Sequence, residues 1–298
     1  MAPKNALPPL SPVQVVQLQD ELLANADRLL RSALAVLDDG SIGLARSLAI
    51  LGMEESGKAI AIHQRRTEIA HEPEGALFVN DWLQGLWSSH RSKLELVHEF
   101  LVDEDYWFDT EPPDPEENRA WLGEIEQWAH KHNLLKQRGF YVDVDAQEGV
   151  LVPDADPDPE SLRRVIDHVH QIGWQLRLGE HIVAKQQRLG AKAIPPASDE
   201  EIERMREIFC NADGIDASQL EQILDNMRLG RGPQPLNNDG YRLHLPGSES
   251  NPFADLGKRG YEAQTRELQR LAEQIGLNDP QTDDDPSEQA TASESNEH

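Results

Sequence analysis

The 298-residue chain holds a single cysteine, Cys210, which excludes an internal disulfide and most cysteine-based metal sites. Beside Phe209 it reads as a buried thiol. Aromatic residues are scarce, at 5%, but six of them are tryptophans, expected at packing junctions or binding faces. No stretch approaches the roughly 18 apolar residues of a membrane span. The opening "MAPKNALPPLSP" has no apolar run of a secretory signal, so a cytoplasmic, reducing location is expected. Cations are also in short supply: 28 Lys and Arg face 54 Asp and Glu, a formal charge of −26. That balance argues against generic binding to nucleic acid or anionic membrane, while leaving room for a local basic pocket.

What the chain does have is helical periodicity. Ser11 and Pro12 mark a helix start, and Val15, Leu18, Leu22, Leu29, Leu30, Leu34 and Leu37 follow at helical spacing as far as "DDG" at 38–40. A second helix opens at Ser41. It carries Leu44, Leu48, Leu51 and Ile62 on one side and the small residues Ala45, Ala49, Gly52, Ser56 and Ala59 on another, where a neighbouring helix can come close. "HEPEG" at 71–75 ends it. Further helices are predicted over 80–104 and 116–137, separated by an acidic proline loop at 109–118. Residues 140–144 and 150–153 are β-rich around a polar turn and predict a short hairpin. A long helix follows "PDPES" and reaches Gly190, with shorter ones near 198–211 and 216–228. A Gly-, Pro- and Asn-rich loop occupies 230–255, and a last helix covers 256–275. Residues 271–298 hold eight acids and no Lys or Arg, −8 of the −26, and read as disordered. The fold class is mainly α: an up-and-down helical bundle with a small β-hairpin and additional C-terminal helices. Its divisions are a helical N-terminal region over 1–110, a helix, hairpin and long helix completing the core over 111–192, helices and loop over 193–276, and the acidic tail over 277–298.

"GMEESGKA" at 52–59 matches G-x-x-x-x-G-K, most of a phosphate-binding loop. Three features argue against that reading. The preceding "IGLARSLAIL" has helical period rather than strand character. Position 59 is Ala, so the hydroxyl that would hold Mg²⁺ is missing. Glu54 and Glu55 would stand where phosphates must sit. In a continuous helix the backbone N–H groups point along the axis, away from any ligand. Glu54 and Lys58 are then four apart, a favourable surface pair, and Glu55 is three from Lys58.

The stretch "ARSLAILGMEESGKA" (45–59) resembles the A-x-x-L-A-x-L-x-x-E-E-x-G-K-A signature of AbiV-family abortive infection proteins. "SHRSKLE" (89–95) resembles that family's H-x-x-K segment, and "LKQRGFYVDVD" (135–145), followed by Pro153, its K-x-x-G-x-Y-V-D segment. The three occur in the family's order, and the resemblance spans about residues 20–185. It implies an N-terminal region of HEPN-like fold and a role in bacterial phage defence. Many HEPN domains are metal-independent RNases that act as dimers through an R-x(4–6)-H motif, so the resemblance also implies possible RNA cleavage or translation arrest.

Such cleavage needs a base for the 2′-hydroxyl, which histidine supplies near neutral pH, and a permanent cation for the phosphate, which arginine supplies. Two placements fit. Arg91 and His98 lie two helical turns apart, about 10 Å along the axis, on one face. A homodimer could set one chain's Arg91 against the other's His98. Arg66 and His71, in "RTEIAH", are the second placement. The first is preferred because its segment also carries His90 and Lys93. Ser92 stands where HEPN motifs favour Asn, Asp or His. Glu54, Glu55, Lys58, His90 and Lys93 would line or brace the groove. No metal and no cofactor are expected. His168 and His170, like His130 and His132, are two apart and diverge on a helix, and Asp167 with His170 lacks a third ligand. Arg163, Arg164, Arg177, Lys185, Arg188 and Lys192 read as a solvated basic face. Two functions stay open: an RNase using His98 as base and Arg91 for the phosphate, or a non-catalytic helical module that binds a phage or host protein.

Overall fold

The structure, a computed structural model, describes residues 7–103, 114–147, 149–153, 158–210, 217–243 and 254–275. The expected acidic tail at 277–298 and residues 109–113 of the expected acidic loop lie outside the described residues, while the rest of that loop caps and begins a helix.

Helix α1 (Pro12–Asp38) starts as its sequence suggests. The Ser11 hydroxyl accepts from the Gln14 backbone N–H, the Gln14 side chain accepts from the Ser11 N–H, and Pro12 sits in the first turn, where its missing donor costs nothing. Helix α2 (Ile42–Ile69) is the axis of the bundle. It has apolar residues all round, and Ala45, Ala49, Ile50, Met53, Ala59, Ile60 and Ile62 are fully covered by its neighbours. Around it stand α1, α4 (His90–Val102), α6 (Ile125–Phe140) and α7 (Pro159–Gly190).

Glycine permits the closest crossings. A Cβ on Gly57 would lie 2.6 Å from the Lys93 carbonyl oxygen of α4. One on Gly139 would lie 2.1 Å from the Gly43 carbonyl and 2.0 Å from Ser47 Oγ, so α6 rests directly on α2 backbone.

Two predicted helices are each split. The 80–104 segment forms α3 (Asp81–Ser88) and α4, because Ser89 adopts an extended backbone and its hydroxyl caps α4 by accepting from the Ser92 N–H. The 116–137 segment forms α5 (Pro115–Leu122) and α6, broken at Gly123, whose φ of +82° suits glycine alone. The hairpin pairs β1 (Asp143–Asp145) with β2 (Gly149–Leu151) in antiparallel register, Val144 opposite Val150. Its valines face solvent, with Val144 74% and Val150 67% exposed.

Helices α8 (Asp199–Cys210) and α9 (Ala217–Leu229) make a separate hairpin around Ile202, Leu220 and Leu224. Residues 237–243 of the expected long loop then dock on the bundle. Asn238 Nδ2 donates to the carbonyls of Ile69, Glu72 and Pro73, so it satisfies acceptors left open by the end of α2. Tyr241 stacks on Phe78 with ring centres 5.2 Å apart. Helix α10 (Glu262–Gln274) closes the chain against α7 and α1.

Candidate functional site

The E-E-x-G-K stretch lies in the middle of α2, and the helix runs through it unbroken, so no phosphate loop forms. Its two acids have opposite fates. Glu54 is 3% exposed. One of its oxygens pairs with the buried Lys136 ammonium of α6, and the other accepts from His90 Nδ1 of α4 at 2.6 Å. Three helices therefore meet at one carboxylate. Lys136 is held to α2 a second time, by the Ser47 hydroxyl donating to its carbonyl at 2.8 Å. Glu55 turns the other way and pairs with Lys58 at 2.6 Å, and the Lys58 ammonium stands 5.3 Å from the centre of the Trp87 ring. The surface pair expected between Glu54 and Lys58 is thus replaced by Glu55 with Lys58, one helical position over.

Lys93 is buried against the same seam. Burial first, and the Lys58 ammonium second, push its pKa below the ordinary lysine value against the pull of Glu54 and Glu55. The α2–α4 seam so gathers Glu54, Glu55, Lys58, His90 and Lys93. Lys136 completes it. Sequence reasoning gave that lysine no role, although the K-x-x-G segment contains it.

The structure does not bring Arg91 and His98 together. Arg91 lies in the first turn of α4, exposed, with Nε donating to Glu95 at 2.6 Å and its guanidinium 3.6 Å from Glu126. Two turns on, α6 covers the helix. His98 is 3% exposed, with Nε2 donating to the Gly123 carbonyl at 2.8 Å and its ring edge-on to Trp128 at 5.5 Å.

Arg66 and His71 do not meet either. His71 is exposed beyond the end of α2. Arg66 is 2% exposed and donates to Gln19 Oε1 and Glu180 Oε1, both at 2.9 Å. Glu180 also accepts from Arg177 at 2.5 Å, and Arg177 reaches Asp20 at 2.5 Å and lies 3.9 Å over the Tyr261 ring. Burial pushes the Glu180 carboxyl up, but the two arginines outweigh it and hold its pKa below the usual range. The network ties α1, α2 and α7 together as a second clasp. Arg177, expected on a solvated basic face, is fully buried within it. Among the described residues, no three of His, Cys, Asp or Glu stand close enough to hold a metal ion. No helix among them is long and apolar enough to cross a membrane.

A family model described as AbiV, of HEPN type, matches residues 14–174, more than half of the chain, from the first turn of α1 through α6 and into α7. The chain belongs to the AbiV family. In this AbiV-family chain the three motif segments are the ones that converge on the Glu54 carboxylate: E-E-x-G-K supplies the acid, H-x-x-K the histidine and K-x-x-G the buried lysine. No curated protein and no solved structure matches the chain.

Proposed function

We propose that this AbiV-family protein is an abortive-infection factor of phage defence that arrests the infected cell by occupancy, binding a phage or host protein, rather than by cutting RNA through an R-x(4–6)-H pair. The family match supports the defence role. One observation carries the mode. His98 is sealed under α6 with its Nε2 committed to the Gly123 carbonyl, while Arg91 is exposed and neutralised by Glu95 and Glu126. A general base must reach the proton it removes, and a phosphate-binding cation must stand beside it. Among the described residues neither R-x-H pair offers that geometry. Glu54, His90 and Lys136, one from each motif segment, are committed to one another as the clasp of α2, α4 and α6.

The test is phage plating on cells that express wild type or the Arg91→Ala variant. Arg91 is exposed, so its removal leaves the fold intact. Protection equal to wild type is expected. Loss of protection at unchanged soluble level and helicity would overturn the reading.

A further inference from the structure

The last helix aims the acidic end of the chain at a group of unpaired cations. Arg177 Nε donates to the Gly260 carbonyl at 2.9 Å, a Cβ on Gly173 would lie 2.9 Å from the Ala263 Cβ, and His170 faces Arg266, Glu267 and Arg270. Position numbers on α7 fall as those on α10 rise, so α10 runs antiparallel to α7, toward its first turns. The pairing of Arg266 with Asp27 of α1 holds it there. Gln274 ends α10 one turn beyond Arg270, about 6 Å along the axis. Arg163 lies two turns before His170 on the same face of α7, about 10 Å along its axis. The chain therefore leaves α10 within about one turn of Arg163.

A cleft of about 290 Å³ opens beside these turns, between the α5–α6 turn and α7. Lys131 of α6 and Arg164 of α7 line it, with Glu124 as the acid among its lining. Lys131, Arg163 and Arg164 are all exposed, and none forms an ion pair among the described residues, although Asp167 stands four and three positions from the two arginines. Unpaired cations gathered in one place are out of character for a chain of net charge −26.

Residues 276–298 carry the complementary charge. They hold seven acids, Asp279, Asp283, Asp284, Asp285, Glu288, Glu294 and Glu297, and no Lys or Arg. The run at 283–285 is eight to ten residues past Ile275, up to about 30 Å of chain, enough to cross the first turns of α7 and reach the cleft. One exposed ion pair is weak. A segment joined directly to α10, however, meets these cations at a millimolar effective concentration, which favours it over the same segment of a second copy.

We infer that residues 276–298 run on from α10 over the first turns of α7 and cover the mouth of the cleft, their carboxylates on Lys131, Arg163 and Arg164. The contact is an internal one that shields the three cations from other anions and loosens as salt rises. It involves neither the clasp nor either R-x-H pair and does not depend on the occupancy reading.

The test is cross-linking of the full chain by a carbodiimide, which joins a lysine amine to a carboxylate in contact with it as an amide. Peptide mass spectrometry reads the links in an equal mixture of ordinary and isotope-labelled chains. Lys131 is expected to join carboxylates between 279 and 288 of its own chain, as the dominant link from any lysine to the tail. That link should fall about fivefold or more in about 1 M salt, and likewise in a variant carrying both Arg163→Gln and Arg164→Gln, which keeps Lys131 in place. Both substitutions are at exposed positions, and circular dichroism checks that helicity is unchanged. Absence of the Lys131 link, links spread evenly over Lys131, Lys185 and Lys192, or a link indifferent to the double variant would overturn the inference. Links that join labelled to unlabelled chains would assign the cations to the tail of a second copy and overturn the internal contact.

Discussion

Lys136→Met isolates the clasp. Lys136 is 7% exposed and its partner Glu54 3% exposed. Methionine keeps the length of the side chain and removes the ammonium. The Glu54 carboxylate is then left in the interior with His90 as its remaining hydrogen-bond partner among the described residues. Stranding one member of a buried ion pair costs about 3–5 kcal/mol, against a total stability for an ordinary domain of about 5–15 kcal/mol. Most of that loss comes from desolvated charge rather than from a lost contact, so it should largely disappear when Glu54→Gln is added. The double variant is expected to be more stable than Lys136→Met alone, with a coupling energy on the order of 2 kcal/mol. Urea unfolding followed by far-ultraviolet circular dichroism measures all four proteins. A loss below about 1 kcal/mol in Lys136→Met, or simple addition of the two single losses, would refute the clasp, since independent sites add.

Gly139→Ala should lower stability by about 3 kcal/mol or more, because its Cβ would meet Gly43 backbone at 2.1 Å and cannot be relieved by a side-chain rotation. The midpoint of thermal unfolding reads it, and an unchanged midpoint would contradict the close crossing of α2 and α6. A pH series tests the buried histidines. His63 is held at a pKa of about 4, mainly by burial, and protonates near 6.5 once unfolded. Its depressed folded pKa means that stability is fully present above about pH 6.5 and falls as the pH drops toward 4, by on the order of 3 kcal/mol. His63→Leu should reduce the acid-induced loss of stability by about that amount, and an identical pH profile in variant and wild type would count against it.

The helices were largely legible because their signals are local. Ser11, Pro12 and the leucine spacing fix α1, and the small-residue face of α2 is the face on which a neighbour closes in. The breaks at Ser89 and Gly123 were missed because the apolar period runs across both, and only the cap geometry and a positive φ interrupt it. Partner identity was not legible at all. Periodicity places Glu54 on a face of α2, but its lysine is 82 positions away in sequence. Glu180 lies 114 positions from Arg66, which is why that arginine looked like half of a surface motif. His98 shows the same limit: seven positions from Arg91 puts both on one face, while the burial of one and not the other depends on where α6 crosses. The six tryptophans suggested a binding face in general terms, and the fold alone places Trp121 beside Lys131 and His168.

The most direct check of the occupancy account is the mapping of RNA 5′ and 3′ ends in phage-challenged cells expressing wild type, Arg91→Ala or no protein, at matched soluble levels. The account expects the same set of ends in all three, with protection present in the first two. New ends that accompany wild type and vanish with Arg91→Ala would contradict it.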